Sequence, residues 1–100
     1  METYKVKIYP AAKQDLMDIV DYLNTLSHSA ALKYYDEIVS EISSLSEVPE
    51  RYPRPRDLAL VAKGYRCLVV KKYIVFYVVI DDTVQIRRIL YGRRDYNALL

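Results

Sequence analysis

Gly64-Tyr65-Arg66-Cys67-Leu68-Val69-Val70, Tyr73-Ile74-Val75-Phe76-Tyr77-Val78-Val79-Ile80 and Val84-Gln85-Ile86-Arg87-Arg88-Ile89-Leu90-Tyr91, the last running on into Gly92-Arg93-Arg94-Asp95-Tyr96, follow one another with almost no loop. Three β-rich runs separated only by Lys71-Lys72 and Asp81-Asp82 predict an antiparallel meander. The middle run is apolar on both faces, with Ile74, Phe76, Val78 and Ile80 against Tyr73, Val75, Tyr77 and Val79, which puts it inside the sheet. In the last run strict alternation sends one arginine of the Arg87-Arg88 pair to the face of Val84 and Ile86. Either that arginine snorkels or a bulge shifts the phase there.

Upstream, Tyr4-Lys5-Val6-Lys7-Ile8-Tyr9 alternates as a half-buried strand does, and Pro10 ends it in a position suited to the first turn of a helix. From Ala11 to Leu26 the set Ala12, Leu16, Ile19, Val20, Leu23 and Leu26 recurs at three and four, with Asp15, Asp18 and Asp21 on the other face. Ser27-His28-Ser29 offers an N-cap, and Ala31, Tyr34 or Tyr35, Ile38, Ile42 and Leu45 keep helical spacing to about Val48. So short a break predicts an antiparallel helical hairpin. Pro49, Pro53 and Pro55 then enforce an extended crossover from helices to sheet, and Leu58-Ala59-Leu60-Val61-Ala62 reads equally as a short strand or an apolar lead-in. The expectation is an α+β fold: an N-terminal strand, a two-helix hairpin and a three-stranded meander, with the helices on one face of the sheet. At 100 residues this is one domain, residues 1–100.

Composition narrows the function. No apolar run reaches the roughly 18 to 20 residues of a spanning helix, and the first residues lack a signal-peptide layout, so a cytoplasmic protein with no membrane partner is expected. Cys67 and His28 are the sole cysteine and histidine, too few for a disulfide or a zinc site, and no metal or cofactor is expected. Cys67 sits in an apolar run and reads as a small buried side chain. The net charge of +2 conceals an asymmetry, since residues 1–50 sum to −5 and residues 51–100 to +7. A basic half suits an anionic partner, or else pairs with the acidic helices. The eleven tyrosines fit interface-prone surfaces, although Tyr22, Tyr34, Tyr73 and Tyr77 keep the apolar phase and read as core with hydroxyls at a rim.

The joint order of Asp15-Leu16 with Ile19 and Tyr22, then Ala31, Tyr34, Ile38, Ile42, Leu45 and Pro49, then Gly64-Tyr65-Arg66, Tyr73 to Tyr77 and Ile89-Leu90-Tyr91-Gly92-Arg93-Arg94-Asp95 resembles the ParE branch of the RelE/ParE toxin superfamily across essentially the whole chain. The resemblance implies the toxin of a type II toxin–antitoxin pair, associated with growth inhibition and plasmid stabilisation. It also implies a cognate antitoxin whose acidic segment folds on binding.

Two mechanisms occur in that superfamily: inhibition of DNA gyrase, and ribosome-dependent cleavage of messenger RNA. RNA cleavage needs a base, a cation for the phosphorane charge and an acid. Arg94 matches a RelE-like arginine and Tyr96 stands near the place of its tyrosine, while Arg66 falls at one lysine position, Leu68 at the other, and Ile74 where a strand arginine belongs. If the chain is a nuclease, its residues are Arg66, Arg94 and Tyr96. The incomplete set favours a binding inhibitor that meets its target or antitoxin through Arg66, Lys71, Arg93, Arg94 and Tyr96; a nontoxic interaction module is the third reading. Each arginine also has a purely structural reading: Arg66 paired with Asp57 or Asp95, and Arg87 and Arg88 covering a helix.

Overall fold

A computed structural model describes residues 3–92 and 99–100. Strand β1 (Lys5–Ile8) leads into helix α1 (Pro10–Asn24) and helix α2 (His28–Ser43), and after a short helix α3 (Leu58–Ala62) come β2 (Arg66–Val70), β3 (Tyr73–Ile80) and β4 (Thr83–Tyr91). The expected α+β layout is the observed one, with an open sheet in the order β1-β4-β3-β2. The meander is antiparallel throughout, whereas β1 lies parallel to β4 with Lys5 beside Thr83 and Ile8 beside Ile86.

Local chemistry sets the boundaries. Pro10 occupies the first turn of α1, which stops at Asn24, two residues short of the expected end, where the Thr25 hydroxyl donates to the Tyr22 carbonyl at 2.6 Å. Ser27 caps α2 by accepting from the Ala30 amide at 3.2 Å. Helix α2 tightens into a 3₁₀ turn over Ser44–Ser46 before Val48, and a second such turn, Pro49–Arg51, interrupts the crossover expected to be extended. Leu58–Ala62 is neither strand nor lead-in: the Asp57 carboxylate accepts from the Ala59 amide at 2.8 Å, which starts a helix instead. Gly64 then reverses the chain at φ +85°, a conformation that any Cβ would strain.

Two cores flank the sheet. On one face Leu16, Ile19, Ile38, Ile42 and Leu45 pack against Val75, Tyr77, Ile86 and Ile89. On the other, Leu60 of α3 and Tyr65 cover Phe76, Val78 and Leu90, with Leu99 and Leu100 against them. The helical hairpin thus occupies one face as expected, and α3 adds cover on the second. Both faces of β3 are buried for this reason.

The phase conflict in β4 is resolved by a bulge: Phe76 faces Arg88 and Tyr77 faces Ile86, leaving Arg87 as the extra residue. Ile89 returns to the helix side and Leu90 to the other.

Candidate functional site

Strand β4 is nine residues long, but β1 pairs only with its first four, so the edge of β4 beyond Ile86 is open to α1. Asp15, one helical turn into α1, meets that edge. Its carboxylate accepts from the Ile89 amide at 2.9 Å and takes both prongs of the Arg88 guanidinium, Nε at 2.7 Å and Nη2 at 2.8 Å. This hydrogen bonding raises the Arg88 pKa above its already high ordinary value. The remaining nitrogen, Nη1, donates to the Leu99 carbonyl at 3.3 Å.

Alongside this clasp runs a groove of about 600 Å³ between α1, the start of α2 and the β4 edge. Its walls are Ile19, Leu23, Tyr34, Tyr73, Ile89 and Tyr91, with Asp18 and Lys72 on opposing rims. Tyr22 and Leu26 also line it and stand 60% and 67% exposed, so Tyr22 is no core residue despite its phase. Tyr73 and Tyr77 are buried as read, and Tyr34, not the more exposed Tyr35, packs on the core. An apolar, tyrosine-rich trough of this kind suits an amphipathic helix or strand of a partner. Periodicity could not separate groove wall from core, since both follow the same stripe on α1.

Arg66 and Lys71 stand at opposite ends of β2, roughly 16 Å apart along a five-residue strand. Arg66 pairs with neither Asp57, which caps α3, nor any other carboxylate among the described residues; its Nη1 donates to the Tyr52 carbonyl at 3.0 Å. It lines a cleft of about 200 Å³ with Glu50 and Arg54. Lys71 lies 3.4 Å from Glu37 and 4.7 Å from the centre of the Tyr34 ring. Arg93, Arg94 and Tyr96 lie outside the described residues, as does Asp95.

Arg87 is held by Gln85, at 2.6 and 3.1 Å, and stacks on Tyr9. Cys67 is half-buried and its thiol is pushed up to about 11 by burial, as a packing role requires. Among the described residues no group of three or more His, Cys, Asp or Glu side chains is gathered to hold a metal ion. Among the described residues no helix is long and apolar enough to cross a membrane.

With this geometry in place, comparison with known proteins is direct. Residues 6–96 match the family described as the ParE toxin of the type II toxin–antitoxin system, parDE. The chain belongs to the ParE toxin family. Among solved structures, the chromosomal ParDE toxin–antitoxin system of P. aeruginosa includes a chain similar at 25% identity, with a TM-score of 0.77 over 91% of this chain and 98% of that one. The RelBE2 toxin–antitoxin complex of Mycobacterium tuberculosis includes one with a TM-score of 0.57 at 24% identity, over 91% of this chain and 93% of that one, a likeness of fold. No curated protein matches the chain in sequence. The ParE assignment agrees with the resemblance read from the residues, and the shared fold places RelE-like proteins beside it.

Proposed function

We propose that this ParE-family protein inhibits growth by binding DNA gyrase, and that a cognate antitoxin neutralises it by laying an amphipathic segment in the groove between α1 and the β4 edge. The family match over residues 6–96 carries the reading. The groove supports its antitoxin half, because Tyr22 and Leu26 expose apolar surface beside a strand edge that β1 leaves unpaired. The cations expected to make contact divide accordingly. Lys71 adjoins Lys72 on the groove rim and falls to the antitoxin. Arg66, at the far end of β2, falls to the target together with Arg93, Arg94 and Tyr96.

Induced expression in a sensitive strain, followed by a supercoiling gel with purified protein and gyrase, tests this. Growth arrest with loss of supercoiling is expected; full gyrase activity under excess folded protein would remove gyrase as the target. Tyr22→Asp with Leu26→Asp should leave arrest intact but weaken antitoxin binding by a hundredfold or more, since two apolar side chains are denied burial.

One observation favours the nuclease alternative as a second reading: Glu50 shares a cleft with Arg66 and Arg54, setting a carboxylate beside two cations. In that reading Glu50 serves as the base and Arg66, Arg94 and Tyr96 complete the set. Primer extension on translated messages should then reveal discrete cuts that vanish in Glu50→Gln. Arrest without such cuts sets the nuclease aside.

A further inference from the structure

The two faces of the sheet are not equally covered. Val6, Val84 and Ile86 pack on the core beneath the helices, so the pairs that alternate with them in the parallel register, Lys5 with Thr83 and Lys7 with Gln85, stand on the opposite face. There Leu60 of α3 covers Phe76, Val78 and Leu90, and no described residue of β1 joins that second core. Lys5 and Lys7 are exposed, roughly 6.6 Å apart along the strand.

Arg87, the extra residue of the bulge, joins them. Its guanidinium lies 4.8 Å from the centre of the Tyr9 ring, and the Lys7 ammonium lies 5.6 Å from the same ring. Gln85 accepts from Nε and Nη2 of Arg87, while Nη1 has no partner among the described residues. A cleft of about 500 Å³ brings in a fourth cation: Arg87 lines it together with Lys63, which follows α3 and donates to the Leu100 carbonyl at 3.4 Å. Among the described residues none of these four cations forms an ion pair. Asp81 and Asp82, in the turn between β3 and β4, bound the row beyond Lys5.

We propose that this face binds duplex DNA through its phosphates, with Lys5, Lys7, Lys63 and Arg87 making the contacts. The neutral side chains of the face narrow the partner. An acidic peptide needs apolar anchors, and at the β1 end of this face the one large apolar side chain exposed among the described residues is Ile80, at 47%. Unpaired bases need an open aromatic ring to stack on, and the Tyr9 ring is taken up by Arg87 and Lys7. An RNA duplex is held through 2′-hydroxyls as well as phosphates, but the neutral hydrogen-bonding groups here are engaged, the Thr83 hydroxyl with Asp82 and the Gln85 oxygen with Arg87. What is left is charge at strand spacing, which suits the phosphate ridge of DNA. The inference goes beyond the gyrase reading and stands without it, because it concerns DNA with no enzyme present.

Fluorescence anisotropy of a short, labelled, mixed-sequence DNA duplex, titrated with the purified protein between about 50 and 200 mM salt, tests this. Four phosphate contacts give a log–log salt slope of about −3.6, so affinity should fall about a hundredfold over that range. Lys5→Gln combined with Lys7→Gln should bind about tenfold more weakly, or worse, at the low-salt end and should halve the slope. Lys13→Gln combined with Lys33→Gln removes the same charge from exposed positions on α1 and α2, and should stay within about twofold of wild type. All four lysines are exposed, so neither variant disturbs the core. Absence of binding at about 50 mM salt, or an equal loss in the two variants, overturns the inference. So does an RNA duplex or poly-glutamate that binds the wild type at least as tightly as the DNA duplex does.

Discussion

Replacing Tyr77 by Phe removes one oxygen atom from the centre of the sheet, and the structure sets the cost. The ring is fully buried, and its hydroxyl donates to the carbonyl of Pro49, itself buried at the start of the crossover. Without that donor the carbonyl loses its side-chain partner among the described residues in a site closed to water, a loss of about 1–3 kcal/mol. For a domain of this size each kcal/mol moves the melting temperature by about 4–8 °C, so Tyr77→Phe should melt roughly 5–20 °C below wild type. Tyr73→Phe is the internal control. Tyr73 lies on the same strand, buried against Tyr34 and Tyr91 at the groove wall, but no hydrogen bond joins its hydroxyl to the described residues, and the change should cost under about 0.5 kcal/mol. Alkali gives a second reading. Burial pushes the Tyr77 phenol up to about 12 from its ordinary 10.0, so the folded state keeps a proton that the unfolded chain releases. Its contribution is complete below pH 10 and is lost as pH rises toward 12. Thermal melts followed by circular dichroism at neutral pH and through this range measure both effects, and the alkaline decline should be shallower in Tyr77→Phe. Melting of Tyr77→Phe within a degree or two of Tyr73→Phe would refute the argument. The consequence reaches the site, because Tyr77 pairs across the sheet with Arg66, whose own acceptor, the Tyr52 carbonyl, sits on the crossover that Tyr77 pins.

Asp15→Ala leaves two guanidinium nitrogens and the Ile89 amide without an acceptor in a half-closed site, and urea titration should show a loss of about 2–4 kcal/mol. Gly64→Ala forces a side chain onto φ +85° and should cost about 1–2 kcal/mol in the same assay, although no atom lies within 4 Å of the added carbon. Burial holds the Cys67 thiol at about 11, so it carries far less thiolate at neutral pH than an ordinary cysteine, and alkylation of the native protein should lag a denatured sample by roughly ten- to a hundredfold.

The meander was legible because its signals are local: two-residue gaps and runs of branched and aromatic residues leave few arrangements. The helical stripe on α1 was equally plain in Ala12, Leu16, Ile19 and Leu23. What escaped depended on partners distant in sequence. Nothing near Lys5 announces that β1 adds in parallel beside β4, and nothing near Tyr22 announces that the sheet stops short of it, which turns a core-phase tyrosine into a groove wall. The apolar run Leu58–Ala62 was ambiguous in pattern, and Asp57 decided it through a cap, a signal readable in advance from an aspartate immediately before an apolar run. The Arg87-Arg88 conflict left a snorkelling arginine or a bulge open, and the fold takes the bulge. Its purpose, a bridge to Asp15 more than seventy residues earlier, needed the fold.

The placement of charge changes what the partner has to supply. Among the described residues Arg51 donates to the Glu47 carbonyl, Arg66 to the Tyr52 carbonyl, Arg87 to Gln85 and Arg88 to Asp15, so these cations are spread over the molecule and each already has an acceptor. The groove, by contrast, is apolar with one acidic and one basic rim residue, Asp18 and Lys72. A segment docked there gains affinity mainly from burying Tyr22, Leu26 and Tyr91, a term that salt leaves nearly untouched, and only the contact to Lys71 is open to screening. Raising salt from about 0.1 M to about 1 M should therefore weaken antitoxin binding by no more than about tenfold. Isothermal titration across that range, on wild type and on Tyr22→Asp with Leu26→Asp, separates the two contributions. A wild-type loss of three decades would move the main contact from the groove to the cations, and the groove variant would then bind almost as wild type does.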